Sequence, residues 1–368
     1  MAENKNQHYV PQFYLRNFSS DDKNIAAYHL GQERSLGKVP IKDQCSKDYF
    51  YQSLDVEKQL GAIEANTSEI ISKILAGKYT ELSKGELLSI RAFIMLQNSR
   101  TKHSADLIRN TASKMKALLL SMKPTEELKK QISEIDETMR GSVDLMMAIF
   151  PEMFLQSLDL SMKLLINQTD RPFITSDDPI IEYDQYLERV CDSLGYGIGS
   201  KGIEIFLPIS SKMMLILYDS KIYKIGTRKS SQVLITQIND VDQLNLLTVL
   251  YSDKVVYYED GTITEFEISQ LVQKAKRLAF SEEMEIERYD CVEEPGEMLH
   301  AHSRNKNCKA HFSFIKELDG AKAIRIKPGQ SIGSDVTIRD YSLQLDKVRR
   351  NEYRPKRSLS FVKKDSTL

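Results

Sequence analysis

The sequence contains no tryptophan, and its four cysteines are scattered along the chain without the regular spacing of a disulfide framework. This distribution is typical of a protein from a reducing compartment rather than of a secreted scaffold. No stretch approaches the ~20 consecutive apolar residues that a membrane-spanning helix needs, and the first residues lack the apolar core of a signal peptide. We therefore expect a soluble, cytoplasmic protein without a membrane partner.

No charge of one sign dominates, because 51 lysines and arginines are balanced by 52 aspartates and glutamates, for a formal net charge of −1. This balance excludes a protein whose whole surface is basic for nucleic-acid binding, but it is compatible with a local basic groove. Hydrophobic residues make up 41% of the chain, an ordinary value for globular proteins. With 368 residues, the chain is long enough for one large or two ordinary domains with a full core.

Apolar residues recur at helical spacing through most of the first half, for example in residues 53–76, 105–122 and 125–139. From about residue 165 the pattern changes to short strand-like runs separated by turns. Helices followed by strands are typical of the α+β class rather than of alternating βαβ units. We predict one α+β domain over residues 1–279, with a mainly helical part at 1–163. A mixed, largely antiparallel, strand-rich part follows at 164–279.

Residues 280–368 differ in character from the rest. Short runs such as Val336-Thr337-Ile338 predict strands, and the last residues are rich in lysine and arginine. We therefore predict a small β-rich C-terminal extension that ends in a flexible basic tail.

The stretch from His8 to Phe18 is largely apolar, yet it carries polar side chains at four-residue spacing. Pro11 suits the first turn of a helix, in which Gln12 and Arg16 share one face. His8 precedes the proline, so its place on that face is less firmly fixed. A polar face on a buried helix costs free energy unless partners satisfy it, so the pattern predicts a polar site here.

Three further patterns supply candidate partners for this helix. Glu57 and Glu64 lie seven residues apart on a predicted helix and so nearly share a face. Gln97 and Arg100 are neighbours at i, i+3 on a helix that Ser83 and Glu86 open with a capping-box spacing. The run from Phe173 to Pro179 predicts a strand that ends in a turn, where Asp177 either accepts backbone hydrogen bonds or presents a functional carboxylate.

Four motifs follow one another along the chain: His8-x-Val-Pro-Gln-x-x-Leu-Arg-x-Phe, Gln97-x-x-Arg100, Phe173-x-x-Ser-Asp-x-Pro and Leu207-Pro-Ile-Ser. In this order they resemble the bacterial domain-of-unknown-function family 4238. The resemblance covers roughly residues 7–275. It implies no activity, but it implies that certain polar residues recur together: His8, Gln12, Arg16, Glu57 or Glu64, Gln97, Arg100 and Asp177. Asp178 stands where asparagine is more usual in the family, which leaves open whether Asp177 or Asp178 is the functional aspartate.

This set of side chains suits an anionic, oxygen-rich ligand, because arginine offers a rigid fork of donors to phosphate and histidine exchanges a proton near neutral pH. We predict catalytic roles for His8, Glu64 and Asp177. Substrate binding is predicted for Gln12, Arg16, Gln97 and Arg100. A divalent cation such as Mg²⁺ or Mn²⁺ would take Glu57, Glu64 or Asp177 as ligands.

The expected function is a phosphodiesterase or nuclease that acts on RNA or DNA, with bacterial stress or phage defence as a setting. One alternative is a binding module that holds a nucleotide or another anion without chemistry. Another is a structural or interaction protein in which the same residues form a buried ion-pair network. The residues do not indicate an oligomeric state.

Overall fold

The computed structural model describes residues 6–51, 54–120, 126–190, 196–278, 285–291, 297–302, 308–324, 334–352 and 361–363. Helices dominate its first half, as the sequence predicts. None of the described helices is both long and apolar enough to cross a membrane. The α-helices are α1 (Gln12–Arg16), α2 (Leu54–Leu75), α3 (Lys84–Ser99), α4 (Lys102–Leu120), α5 (Glu126–Arg140), α6 (Ser142–Gln156), α7 (Gln185–Val190), α8 (Ile238–Tyr251), α9 (Glu265–Leu278), α10 (Asp319–Lys322), α11 (Ser334–Thr337) and α12 (Asp340–Glu352).

The strands lie mostly in the second half and confirm the α+β class. They are β1 (Asn6–His8), β2 (Asn24–His29), β3 (Arg34–Pro40), β4 (Ser46–Asp48), β5 (Ser161–Asn167), β6 (Thr175–Ser176), β7 (Ile181–Tyr183), β8 (Glu204–Ser210), β9 (Met213–Tyr218), β10 (Tyr223–Ile225), β11 (Gln232–Ile235), β12 (Val255–Tyr258), β13 (Glu285–Cys291), β14 (Glu297–His302), β15 (Ile315–Glu317) and β16 (Phe361–Lys363).

Two sheets organise the described chain. The larger has the order β11-β5-β9-β8-β7, and the second has the order β3-β2-β12-β6. Every described strand pair is antiparallel except β11 with β5. The predicted largely antiparallel character is therefore confirmed.

The five-stranded sheet is buried on both faces. Along β8, Ile205 and Leu207 pack into one hydrophobic cluster, which also contains residues of α1, α2 and α3. Phe206 packs into the other cluster, which contains residues of α8 and α9. This alternation follows from the two-residue period of a strand, and it lets one sheet support helices on opposite sides.

The chain after residue 280 contains helices as well as strands. The predicted strand at Val336–Ile338 is wrong, because the structure forms helix α11 there, and the Ile338 amide donates to the Ser334 carbonyl at 2.8 Å. Strand propensity is a weak preference, and among the residues that the structure describes this segment pairs through one isolated bridge, between Ser200 and Ile338. Residues 353–360 and 364–368, most of the predicted basic tail, lie outside the described residues.

Candidate functional site

An open pocket of about 530 Å³ lies between the N-terminal segment and helix α2. Four of the predicted site residues line it: His8, Gln12, Arg16 and Glu64. Helix α2 also contributes Ser68, one turn beyond Glu64 on the same helix face. The structure thus brings four of the predicted residues, from β1, α1 and α2, together at one pocket.

Along one wall, three polar side chains form a ladder that runs from β1 along α1. The Arg16 guanidinium donates to the Gln12 side-chain carbonyl at 3.0 Å, as the i, i+4 spacing predicts. The Gln12 amide nitrogen lies 3.3 Å from Nε2 of His8. His8 and Gln12 are half-buried, whereas Arg16 is exposed. The ladder therefore runs from the half-buried imidazole of His8 to the exposed guanidinium of Arg16.

His8 is held at Nε2, which lies 3.0 Å from the Lys42 carbonyl oxygen. Nε2 thus lies between an acceptor, the Lys42 carbonyl oxygen, and a donor, the Gln12 amide nitrogen, and the tautomer of His8 decides which of these contacts is a hydrogen bond. Burial lowers the pKa of His8, against the smaller opposing effects of the Lys42 carbonyl, Glu64 and Asp43. The ring is thus neutral near pH 7 and able to accept a proton.

Behind the pocket wall lies a second polar group that is almost sealed from solvent. Arg100 and Gln97 are each 1% exposed. Arg100 donates from Nε to the Gln97 carbonyl oxygen at 2.9 Å and from Nη1 to Glu64 at 2.7 Å. The Gln97 amide in turn donates to the Tyr9 carbonyl at 2.9 Å. Arg100 and Gln97 therefore lie outside the pocket lining and brace it from behind.

Glu64 connects the two groups, because it lines the pocket and also accepts the bond from Arg100. Its side chain is 28% exposed. The other terminal nitrogen of Arg100, Nη2, is buried and has no hydrogen-bond partner within the described residues. The buried cation therefore depends on Glu64 for its charge balance.

Asp177 lies in a different place, outside the pocket lining, between β6 and the start of β12. Its carboxylate accepts from the backbone amides of Asp253, Lys254 and Val255 at 3.1, 2.9 and 3.2 Å. Burial and the nearby Asp253 raise the pKa of Asp177 to about 7, despite these three donors. Its neighbour Asp178 is also buried. The sequence left two roles open for Asp177, and in the structure its carboxylate accepts backbone hydrogen bonds.

The motifs nevertheless converge, and Tyr14 is where they meet. The buried Tyr14 hydroxyl lies 2.6 Å from both the Pro208 carbonyl and the Thr175 hydroxyl. Since its one proton goes to the carbonyl, it accepts from Thr175. Tyr14 of the opening motif thus joins the 173–179 motif to the Leu207-Pro-Ile-Ser motif, which lies in β8, and fixes α1 against both sheets.

Among the described residues, no group of three or more His, Cys, Asp or Glu side chains is arranged to hold a metal ion. The side chain of Glu57, a predicted metal ligand, lies outside the described residues. Glu64 and Asp177, the other two candidates, do not share the pocket lining.

Several further residues line the pocket that no sequence motif predicts, including Asn6, Gln7 and Tyr51. Gln7 is fixed because its side-chain carbonyl accepts from the Tyr51 amide at 2.6 Å, and β1 pairs with β4 around it. No local signal reveals this pairing across some 40 residues. Ser68, by contrast, could have been found from its four-residue spacing to Glu64.

The fold and this pocket define an α+β protein with an open, polar, partly cationic site. A family model described as "Protein of unknown function (DUF4238)" matches residues 6–262, and the chain belongs to this family. The predicted family membership is thereby confirmed. No curated protein and no solved structure matches the chain.

Proposed function

We propose that the pocket binds a phosphate group of RNA or DNA and that the protein is a phosphodiesterase of the nuclease type. The observation that carries the proposal is the neutral, half-buried His8, held in an open pocket at one end of a ladder that ends in Arg16. A base and a phosphate-binding cation within one small pocket are the minimum that phosphoester cleavage by acid–base catalysis needs. The proposal includes a cytoplasmic location and a setting in bacterial stress or phage defence.

In this proposal His8 takes the proton of the attacking group, which is the ribose 2′-hydroxyl in RNA or water in DNA, as its oxygen bonds to phosphorus. The P–O bond to the leaving nucleotide breaks, and the leaving oxygen takes a proton from the protonated His8 or from water. Arg16 binds the phosphate oxygens, and Gln12 holds the Arg16 guanidinium in place. Once His8 is protonated, its positive charge is favoured by the nearby carboxylates of Glu64 and Asp43. Glu64 is then a positioning residue that stabilises the charged ring and is itself fixed by Arg100.

The roles of Arg100 and Asp177 differ in this proposal from those that the sequence suggests. Arg100 is too deeply buried to contact a substrate phosphate, so it orients Glu64. Asp177 holds the start of β12. If a divalent cation takes part, its protein ligands come from the α2 side of the pocket, where Glu64 lies.

A binding module without chemistry is the second candidate. It is favoured by the observation that the pocket offers several donors, including Arg16 and the Gln12 amide, beside a single described carboxylate, Glu64. Such a lining recognises a nucleotide or another anion even where no bond is broken.

The decisive experiment incubates the purified protein with end-labelled RNA and DNA, with EDTA, with Mg²⁺ and with Mn²⁺. We expect cleavage in at least one condition. His8→Ala should lower kcat/KM by about a hundredfold or more, the usual contribution of a general base. Arg16→Gln should mainly raise KM, because it removes a phosphate contact.

His29→Ala and Arg34→Gln are matched controls. His29 lies on β2 and Arg34 lies on β3, and both are outside the pocket. Cleavage that survives His8→Ala overturns the assignment of the base. The binding module is supported instead by a nucleotide that raises Tm and is recovered unchanged, if the rise in Tm is lost in Arg16→Gln. If neither cleavage nor ligand binding occurs, the Arg100–Glu64 pair is a structural ion pair only.

A further inference from the structure

A second pocket, of about 810 Å³, lies on another part of the molecule. One wall is formed by α7 and β10. The other is formed by residues 308–324, which we call the return segment. The return segment lies beyond residue 262, where the family match ends. This pocket shares none of the residues that line the first one.

The return segment is fixed firmly against the rest of the protein. β15 pairs with β10, and the Phe312 ring is fully buried. The Ala310 amide donates to the Tyr183 hydroxyl at 2.8 Å. Arg189 of α7 binds the Glu317 carboxylate and donates to the Ala321 carbonyl at 3.0 Å. The second pocket therefore has preformed walls, as small-molecule sites usually have.

Its charged lining is predominantly basic, with four cationic side chains against two carboxylates: Arg189, Lys309, Lys316, Lys322, Glu188 and Glu317. Both carboxylates are already engaged. Glu317 is bound by Arg189, and Glu188 accepts from the Tyr183 hydroxyl and from the Lys309 amide. Lys309 and Lys316 have no carboxylate partner within the described part of the chain. Four cations against two carboxylates leave the lining with a net charge of +2.

The register of the β10–β15 pair places one further lysine, outside the pocket lining, next to Lys316. Lys224 lies directly opposite Lys316. Side chains at such positions are neighbours on one face, and like charges there repel each other. Both lysines are exposed. A bound anion would relieve this repulsion.

We propose that the second pocket binds a small organic anion that carries a diphosphate group, such as a nucleoside diphosphate. The lining carries a net positive charge that includes Lys309 and Lys316, and lysine serves as a point charge for phosphate. The pocket volume lies within the range of roughly 300–1,000 Å³ found for small-molecule sites. The lining also includes Ile315 and Tyr223, which are 7% and 3% exposed and so offer the organic part a small apolar surface.

The test is calorimetric titration of the full chain with adenosine diphosphate, inorganic pyrophosphate and adenosine at physiological salt. We expect saturable binding of adenosine diphosphate. Lys309→Gln combined with Lys316→Gln should weaken it at least tenfold. Lys78→Gln combined with Lys229→Gln is the matched control, since it removes the same charge from exposed lysines outside both pockets.

Arg16→Gln tests whether adenosine diphosphate binds at the first pocket instead of the second. It should leave the binding of adenosine diphosphate at the second pocket unchanged. Equal binding of inorganic pyrophosphate supports the proposal and assigns recognition to the diphosphate alone. The proposal is overturned if nothing binds, or if adenosine binds as tightly as its diphosphate. It also fails if both double variants lose affinity equally, or if Arg16→Gln abolishes binding while the Lys309/Lys316 variant retains it.

Discussion

His8 carries the proposed chemistry, and its surroundings predict how its pKa responds to substitution. Burial lowers the pKa of His8 below its ordinary value of 6.5, and Arg16 adds to this lowering, whereas Glu64 opposes it. Arg16→Gln should therefore raise the pKa of His8, and Glu64→Gln should lower it. NMR titration of the imidazole resonances measures both shifts without any assay of activity.

Arg34→Gln serves as the control, because Arg34 is exposed and lies outside the pocket. Shifts of the same sign for both pocket substitutions would contradict the arrangement of charges around the ring. In an enzyme that uses neutral His8 as its base, the acidic limb of the rate profile should follow the measured pKa.

Glu204 provides a second prediction at this scale, about stability. Burial raises the pKa of Glu204 from 4.5 to about 8, although Gln185 donates to both of its oxygens. Between these two values the folded protein keeps a proton that the unfolded chain releases. The contribution of Glu204 to the free energy of unfolding should therefore fall as the pH rises from about 4.5 to 8, by up to about 5 kcal/mol.

Glu204→Gln should remove this part of the pH dependence, and urea unfolding at pH 5 and pH 9 measures it. Glu69→Gln, at an exposed position of α2, should leave the dependence as it is. An unchanged slope in Glu204→Gln would mean that the carboxyl group is ionised throughout.

At the scale of residues, spacing predicted the local contacts and missed the distant ones. Arg16 with Gln12, and Arg100 with Gln97, are helical neighbours, and both pairs are bonded as the spacing predicts. Asp177 could not be placed in the same way, because its three partners lie some 76 residues further along the chain. Its position depends on the pairing of β6 with β12, for which the sequence contains no local signal.

At the scale of elements, Tyr14 joins α1 to both sheets, and its hydroxyl is the group to test. Tyr14→Phe keeps the ring but leaves the buried Pro208 carbonyl without its donor and Thr175 without its acceptor. We expect a loss of about 1–3 kcal/mol in the free energy of unfolding. Denaturant unfolding at pH 7 measures this loss.

Tyr28→Phe is a matched comparison, since Tyr28 is equally buried and its hydroxyl has no hydrogen bond within the described residues. That variant should lose little stability. A Tyr14→Phe variant as stable as Tyr28→Phe would show that α1 is held by apolar packing alone.

Element boundaries were predictable wherever a residue type has a specific backbone role. Pro11 precedes α1, and Ser83 and Glu86 form the capping box that their spacing predicts. By contrast, Val336-Thr337-Ile338 predicted a strand and forms part of a helical turn. Arg339, which follows this turn, is 2% exposed and is bonded to Asp159 and to backbone carbonyls. This tertiary anchor overrides the preference of β-branched residues for strands.

At the scale of the whole molecule, the return segment completes the core of the family domain. The Phe312 ring packs against Phe206 and Tyr183, with centroid distances of 5.8 and 6.4 Å. Phe312→Ala should cost about 3–5 kcal/mol in the free energy of unfolding, as buried phenylalanine truncations usually do. Chemical denaturation provides the measurement.

Phe266→Ala is the control, because Phe266 is 69% exposed and should contribute little. Equal stability of the two variants would mean that the return segment does not stabilise the family domain. This docking could not be predicted, since an apolar residue in a short, loop-rich stretch does not indicate which distant core it enters.

The contacts of Tyr14 determine when the first pocket can form during translation. The residues that line the first pocket all lie within the first 68 positions, but Tyr14 is fixed by residues 175 and 208, and β2 pairs with β12 at 255–258. At roughly 5–20 residues per second, about 200 further residues take ~10–40 s to translate. A nascent chain on the ribosome therefore carries all the lining residues long before it can assemble them, and the pocket forms only near the end of the domain's translation.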